Sequence, residues 1–484
     1  MASLATIGVA FAGMLDADFA AALRSELGPE GLIESGDDLR YYASDRCKGD
    51  WPVAPGAIAL PSRVEQVQAI ARLCNAKRIA IVPSGGRTGL TGAATAIAGE
   101  LVLSLARLDR ILAIDRASRL IHCEAGVTVQ AIQEAAAAQG LSYPVDFAAK
   151  GSAQIGGSIA TNAGGVKVLR YGLTREWVQA LDVVLVDGER LQIGGELVKN
   201  NTGYDLRQLL IGSEGTLGII VGATMKLCPP PAGCLVALVS LPSDAAVAQL
   251  FERLRARAFT LSAFECFDRG CYQHVLDHRP RKQPLEQLGA QQVLIELELA
   301  SEDQREAIHD ALVELFEAAV EDELVLDATI AHTEATAREL WAWREDISES
   351  LHAHAPHKAD VAVPIREVVA FLTRWRSAVA QALPEIEALA FGHVGDGNLH
   401  LNLLRPSALT QAEFLARCHA FDPIVYALVR EHRGSVSAEH GIGLLKREYL
   451  GYTRSAREIA LMRAIKQTFD PLGLLNPGKL FMPT

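Results

Sequence analysis

The sequence has no Cys-x-x-Cys pair among its eight cysteines, Cys47, Cys74, Cys123, Cys228, Cys234, Cys266, Cys271 and Cys418. That excludes a dithiol redox motif and a cysteine-rich metal ribbon, and leaves buried free thiols in a reducing compartment. No stretch of about eighteen uninterrupted apolar residues occurs, so no membrane-spanning helix is expected. Met1–Leu15 is mildly apolar but lacks a basic residue before its apolar run; it reads as a lead-in to the first helix, not a signal. Positive charge is short too: 46 Lys and Arg against 58 Asp and Glu give a net −12. Nucleic acid is thereby a poor partner. An anionic substrate would need Arg, Lys or a metal placed locally against this background. Repeats and low-complexity tracts are absent as well. These absences describe a cytoplasmic globular protein, and 484 residues exceed one ordinary core.

What is there reads as an α+β chain in three parts: 1–228, 229–425 and a helical 426–484 returning to the first. Residues 16–45 read as helical. A short strand (57–60), a helix over 62–77 with Ser62 as its N-cap, and a strand at 79–83 follow. Strands are expected at 101–105, 111–115 and 120–124, a helix over 129–139, and a turn-rich stretch over 141–165. Strands resume at 178–186, 191–193 and 218–227, and Pro229–Pro231 marks a boundary. Beyond it, strands at 235–241, 293–299, 388–394 and 400–404 alternate with helices over 245–257, 302–319, 334–353 and 365–382. This predicts an antiparallel sheet with helices on one face.

Three glycine-dense loops stand in the first part: Pro83–Gly92, Gly151–Gly165 and Gly212–Gly218. Glycine lets backbone amides approach a ligand and point inward together. Any one loop alone is most simply a tight turn; three suit a large diphosphate cofactor. None fits the Rossmann or the P-loop pattern.

The segments Pro83-Ser-Gly-Gly-Arg-Thr-Gly-Leu90, Ile155-Gly-Gly-Ser-Ile-Ala-Thr-Asn-Ala-Gly-Gly165, Lys199-Asn-Asn-Thr-Gly-Tyr-Asp-Leu206 and Ile211-Gly-Ser-Glu-Gly-Thr-Leu-Gly-Ile-Ile220 closely resemble the FAD-binding domain of the vanillyl-alcohol-oxidase superfamily. The resemblance extends over essentially the whole chain. The branch it most resembles is that of the D-2-hydroxyglutarate dehydrogenases, near D-lactate dehydrogenases and the glycolate oxidase flavoprotein subunit. It implies a vanillyl-alcohol-oxidase-type FAD domain, an α+β substrate (cap) domain and non-covalent FAD. The pyrophosphate would lie over Gly85, Gly86, Arg87, Thr88 and Gly89 behind Pro83. Pro144, Ser152, Gly157, Asn162, Glu214, Gly218, Ile220 and Asn476 would line the rest. Two departures occur: Ala93 stands where a second glycine is usual, and Ser158 where asparagine is usual. Alanine resists a left-handed backbone, which puts the end of that loop in question.

The densest chemical signal is Phe391-Gly-His-Val-Gly-Asp-Gly-Asn-Leu-His-Leu-Asn402. Its Gly395–Asn398 turn folds one strand back on the next and brings His393 and His400 within reach. Asn402 shares a strand face with His400. Some forty residues on comes Ser437-Ala-Glu-His-Gly-Ile-Gly443. Two histidines and Glu439 make a three-ligand divalent site with open positions; the plainer alternative is hydrogen-bonded histidines beside a turn. The resemblance favours the metal, with zinc expected. His352-Ala-His-Ala-Pro-His357 looks metal-like by composition, but is read as a solvated helix end.

Local positive charge is offered by Arg344 and Lys358. Arg344 and Ser348 are four apart on an expected helix and would share a face. On residue types alone this is ordinary surface charge. The resemblance implies that Arg344, Ser348 and Lys358 clamp the distal carboxylate of a dicarboxylate. It also implies that Asn402 and His440 contact the substrate, with His440 as general base, and that Asn476-Pro-Gly-Lys479 returns to the flavin. D-2-hydroxyglutarate is the expected substrate, with D-malate beside it. D-lactate or glycolate oxidation, or a subunit role in a larger complex, are the alternatives. Electron-transfer flavoprotein or a quinone is the expected electron acceptor, and a homodimer is among the forms allowed.

Overall fold

The computed structural model describes residues 16–47, 49 and 51–482, so the reading of Met1–Leu15 falls outside the described residues. The chain divides into two compact units. Unit 1 takes the chain through Gly164, then Leu173–Pro230, then Glu439 onward; unit 2 takes Gly165–Gly172 and Pro231–Ala438. The second crossing thus falls at Ala438, thirteen residues beyond the sequence-based boundary at 425, and a short inner segment joins unit 2.

In unit 1 the single helix expected over 16–45 is two. Ala17–Leu27 is capped by Asp16, whose side chain accepts from the Phe19 amide at 2.6 Å. It stops at Gly28 (φ 77°), and Asp37–Tyr42 starts after Gly36 (φ 91°). Glycines in these conformations turn the chain where other residues would be strained. The strand Leu32–Ile33 lies between and begins a four-stranded sheet in the order 32–33, 57–59, 101–104, 81–84. Its first pair is antiparallel and the rest parallel. The helix Val64–Lys77 buries Val67, Ile70, Ala71 and Cys74 on one stripe. It starts after Arg63, and Ser62 instead donates its amide to Gln66 Oε1 at 2.9 Å. A second, wholly antiparallel sheet runs 111–115, 120–124, 219–226, 178–184, 190–194. Leu101, Ile121, Ile155, Val183 and Ile219 belong to one core. The stretch read as turns hides the helix Ile155–Thr161.

Unit 2 is built on a seven-stranded antiparallel sheet ordered 327–330, 233–241, 291–299, 261–268, 387–392, 398–404, 357–362. The strands Leu261–Asp268 and His357–Ala362 were not expected, and both carry chemistry. Helices cover both faces, not one. On one side Tyr272 stacks on Trp343 at 4.1 Å in a cluster with Phe267; on the other Phe251 packs on Phe264 at 4.8 Å. Phe264 and Phe267 are three apart on a strand and so point oppositely. The expected helix over 334–353 is Glu334–Glu345, then Ile347–Ser350, then a short 3-10 turn His352–His354. Among the described residues no helix is long and apolar enough to cross a membrane.

Candidate active site

In unit 2 the turn after Gly392 does what its glycines require. Gly397 takes φ 86°, and the amide of Asn398 donates back to the His393 carbonyl at 3.2 Å. The strand Glu387–Gly392 then pairs with Asn398–Leu404, with Phe391 opposite His400. The His393 and His400 rings come to 5.3 Å between centroids, nearly perpendicular at 84°. The sequence expectation that these two histidines meet is realised in this geometry.

Each histidine has an acidic neighbour that sequence reading missed. His393 Nδ1 lies 2.7 Å from Glu265 Oε1, and His400 Nδ1 lies 3.7 Å from Asp360 Oδ1. The hydrogen bond at His393 Nδ1 fixes its imidazole, the usual arrangement behind a metal-binding histidine, whereas Asp360 stands at ion-pair distance from His400. Glu265 has a second partner: Arg344 Nε donates to its Oε2 at 2.8 Å. The guanidinium also lies over Phe391 at 4.8 Å. Burial opposes ionisation of Glu265, but His393 and Arg344 outweigh it and hold its carboxyl below the ordinary glutamate value. Nothing local signals Glu265: it stands 128 residues from His393 in sequence.

The strand register puts Lys358 opposite Asn402 and Asp360 opposite His400, so these four side chains share one sheet face. Lys358 is solvent-accessible, yet enough protein surrounds it that desolvation holds its ammonium below the ordinary lysine value. Asn402 is buried; its Nδ2 donates to the His400 carbonyl at 3.1 Å while its Oδ1 has no protein partner. The atom left over is an acceptor, which suits a hydroxyl rather than a carboxylate. Ser348 is exposed whereas Arg344 is buried, because the helix ends at Glu345 and restarts at Ile347. The shared face expected for that pair is not realised.

Unit 1 holds the glycine loops. A Cβ on Gly86 would stand 2.0 Å from the Ser152 carbonyl oxygen, so two loops meet backbone to backbone there, with Gly85 facing Gly157. Arg87, Asn162, Glu214 and Asn476 all take left-handed backbones at φ 54°, 51°, 52° and 44°. Such strain in non-glycine residues gathers at functional sites. Arg87 is held between the rings of Tyr41 and Tyr42 at 4.4 and 4.6 Å. Asn162 Oδ1 accepts from the Arg175 amide at 2.9 Å. Pro144 and Thr88 lie in irregular segments, and Pro83 lies in the strand Ile81–Ser84, one residue before its end. Gly218 makes room for Val183 at 2.6 Å, and Ile220 is core. The doubt at Ala93 resolves simply: Gly92 takes the left-handed conformation (φ 79°) and Ala93 does not.

The Glu439–Gly443 segment opens the last piece of unit 1. Its chain neighbour Ala438, the end of unit 2, donates to Asp360 Oδ2 at 3.1 Å. His440 Nε2 lies 3.3 Å from Glu439 Oε1. Thr91 Oγ1 donates to the His440 carbonyl at 3.2 Å, and the Glu214 carboxylate accepts from the Ile442 and Gly443 amides, both at 2.7 Å. Asn476 in turn donates to the Ala93 and Glu214 carbonyls. Glu214, expected at the cofactor, thus spends its carboxylate on the loop carrying His440.

Residues 55–194 match the family described as FAD binding domain, and residues 231–480 match FAD linked oxidases, C-terminal domain. The D-2-hydroxyglutarate dehydrogenase of Xanthomonas citri pv. viticola is 48% identical over 92% of this chain and 93% of its own length. That of Stutzerimonas stutzeri is 42% identical over 95% and 98%. Among solved structures, 4-ethylphenol oxidase from Gulosibacter chungangensis superposes with a TM-score of 0.74 at 18% identity, covering 96% of this chain and 98% of its own. The fold is of the vanillyl-alcohol-oxidase type, and the chain belongs to the FAD-linked oxidases. Within them it is an FAD-dependent dehydrogenase, grouped with the two bacterial enzymes just described.

The residues fit the flavin. Ser84 Oγ, Gln154 Oε1, Ser213 Oγ and Asn476 Oδ1 are buried without a protein partner, and Gly157 opens onto clear space. Buried polar atoms normally find partners, so this set suits a polar ligand. Gly86→Ala must push the Ser152 backbone away. It is expected to cost about 1–3 kcal/mol and to leave the purified protein short of flavin absorbance at 450 nm, about the usual flavin maximum.

Proposed function

We propose that this enzyme oxidises D-2-hydroxyglutarate, with D-malate as a further substrate, to the 2-oxo acid, using non-covalent FAD and a divalent metal. The observation that carries the reading is the Glu265 carboxylate, which holds Arg344 on one oxygen and His393 on the other. A dicarboxylate needs a cation for its far end and a separate anchor for its hydroxy-acid end, and here one buried group sets both. The names of the relatives at 48% and 42% identity support the same substrate.

In this reading His393, His400 and Glu439 would hold the metal, and two imidazoles with a carboxylate suit zinc. The metal would supply a Lewis acid for the substrate hydroxyl. FAD, when bound, would supply the hydride acceptor. Arg344 and Lys358 would bind the distal carboxylate, with Arg344 able to offer paired donors, while Ser348, which does not share the Arg344 face, is left out of the clamp. Asn402 lies on the same sheet face as His400 and Lys358 and would help orient the substrate there. His440 Nε2 takes the hydroxyl proton, and the Glu439 carboxylate beside it stabilises the resulting charge. The electrons leave to an electron-transfer flavoprotein or a quinone in the cytoplasm.

The test is a stereospecific substrate panel with an artificial acceptor, run with metal analysis on the same preparation. D-2-hydroxyglutarate is expected to lead, and Arg344→Ala or Lys358→Ala to raise its KM about 10–100-fold, one charged contact each. D-lactate as the better substrate, with both variants unchanged, would overturn the dicarboxylate reading. Full turnover after chelation, or in His400→Ala, would overturn the metal.

A further inference from the structure

We propose that His357, His419 and Asp422 form a second divalent-metal site, on the sheet face opposite Asp360 and His400. His357 opens the edge strand His357–Ala362, and its side chain points away from that of Lys358 because strand side chains alternate. The helix Gln411–Glu431 packs on that strand and supplies the other two groups. His419 and Asp422 are three apart, so they share a helix face.

The three ligand atoms lie within 4.8 Å of one another. Asp422 Oδ1 is 2.7 Å from His357 Nε2, and Asp422 Oδ2 is 3.2 Å from His419 Nδ1. The two imidazoles are perpendicular, with centroids 5.2 Å apart. Tetrahedral bonds of roughly 2.0–2.1 Å place ligand atoms about 3.3 Å apart. The His419 Nδ1–Asp422 Oδ2 pair already has this spacing, and His357 Nε2, now against the other carboxylate oxygen at 2.7 Å, has to draw back for an ion to enter. Asp422 is buried and His357 nearly so, while the His419 side chain is 46% exposed, which gives an ion and a completing water a way in. Pro423 follows directly and has no N–H for the His419 carbonyl, so the helix is loosened at this turn.

Two nitrogens and one oxygen select a borderline ion such as Zn²⁺ or Co²⁺ over Ca²⁺ or Mg²⁺. An ion here would tie the edge strand bearing Lys358 and Asp360 to its covering helix. The site uses none of the groups assigned to the reaction, so the two assignments stand or fall separately.

The experiment titrates the purified flavoprotein with Co²⁺, followed by visible absorption, and with Zn²⁺, followed by thermal melting and metal counting. The wild type is expected to hold two ions per chain. His419→Ala and Asp422→Asn should lose one ion, weaken its binding at least ~10-fold and lose the corresponding melting shift. His400→Ala should lose the other ion and keep this one. At 100-fold excess over its dissociation constant the ion favours the folded state about 100-fold, so the shift is measurable. His419 is exposed and its alanine variant should fold. If His419→Ala matches the wild type in ion count and melting shift, the site does not exist.

Discussion

Glu265→Ala is expected to lower turnover at least ~100-fold and to lower metal content in the same preparation. The side chain is 1% exposed and meets His393 and Arg344 on its two oxygens. Removing it strands the Arg344 guanidinium in a buried setting, and breaking a buried pair costs about 3–5 kcal/mol. His393 loses the acceptor that fixes its ring, so the proposed metal and carboxylate ends of the site should fail together. Glu265→Gln keeps the volume but offers one acceptor, with an amide donor facing the other partner. It should fold near the wild-type Tm, with KM raised and metal held about 10-fold more weakly. A Glu265→Ala protein that melts early but keeps its metal and its KM would reduce Glu265 to a support of the fold.

Legibility followed sequence distance. The approach of His393 and His400 could be read because a glycine turn of four residues makes it, and local backbone chemistry decides the outcome. Glu265 and Asp360 could not, since sheet pairing brings them in from far along the chain and their strands gave no strong pattern. Leu261–Asp268 is buried on both faces, so it lacks the alternation that marks a half-exposed strand. The helix Ile155–Thr161 was hidden by Gly156 and Gly157, which read as a turn; Gly156 is needed because a Cβ there would meet Ala125 at 2.7 Å. His357 was misread for a related reason. Composition alone made His352–His357 a solvated helix end, whereas His352 and His354 lie on a short turn and His357 begins a strand. Its partners His419 and Asp422 come from a helix over fifty residues away, beyond any local pattern.

Glu214 yields the second large effect and separates two roles for one residue. Glu214→Ala leaves the Ile442 and Gly443 amides without their acceptor, at about 1–3 kcal/mol each. The loop carrying Glu439 and His440 then loses two backbone anchors and keeps its Thr91 contacts and the Leu480 amide on the Gly443 carbonyl. Turnover per bound flavin should fall ~10–100-fold, the scale of losing a ligand-supporting partner, while flavin content stays near the wild type. If instead flavin is lost and the remaining holoenzyme turns over normally, Glu214 serves the cofactor and not the loop. The pH response adds an independent reading. Burial raises the Glu214 carboxyl above its ordinary value, against the two amides that favour its charged form. A folded-state value above the unfolded one binds protons more tightly in the folded state, so this contribution is full below the ordinary glutamate value and is lost as pH rises through the raised one. Glu214→Gln cannot titrate, and its Tm should decline less than that of the wild type as pH rises above about 4.5, the usual glutamate range. Parallel Tm–pH curves for the two proteins would mean that the Glu214 carboxyl is not raised, and that the loop is held by a carboxylate already charged throughout this range.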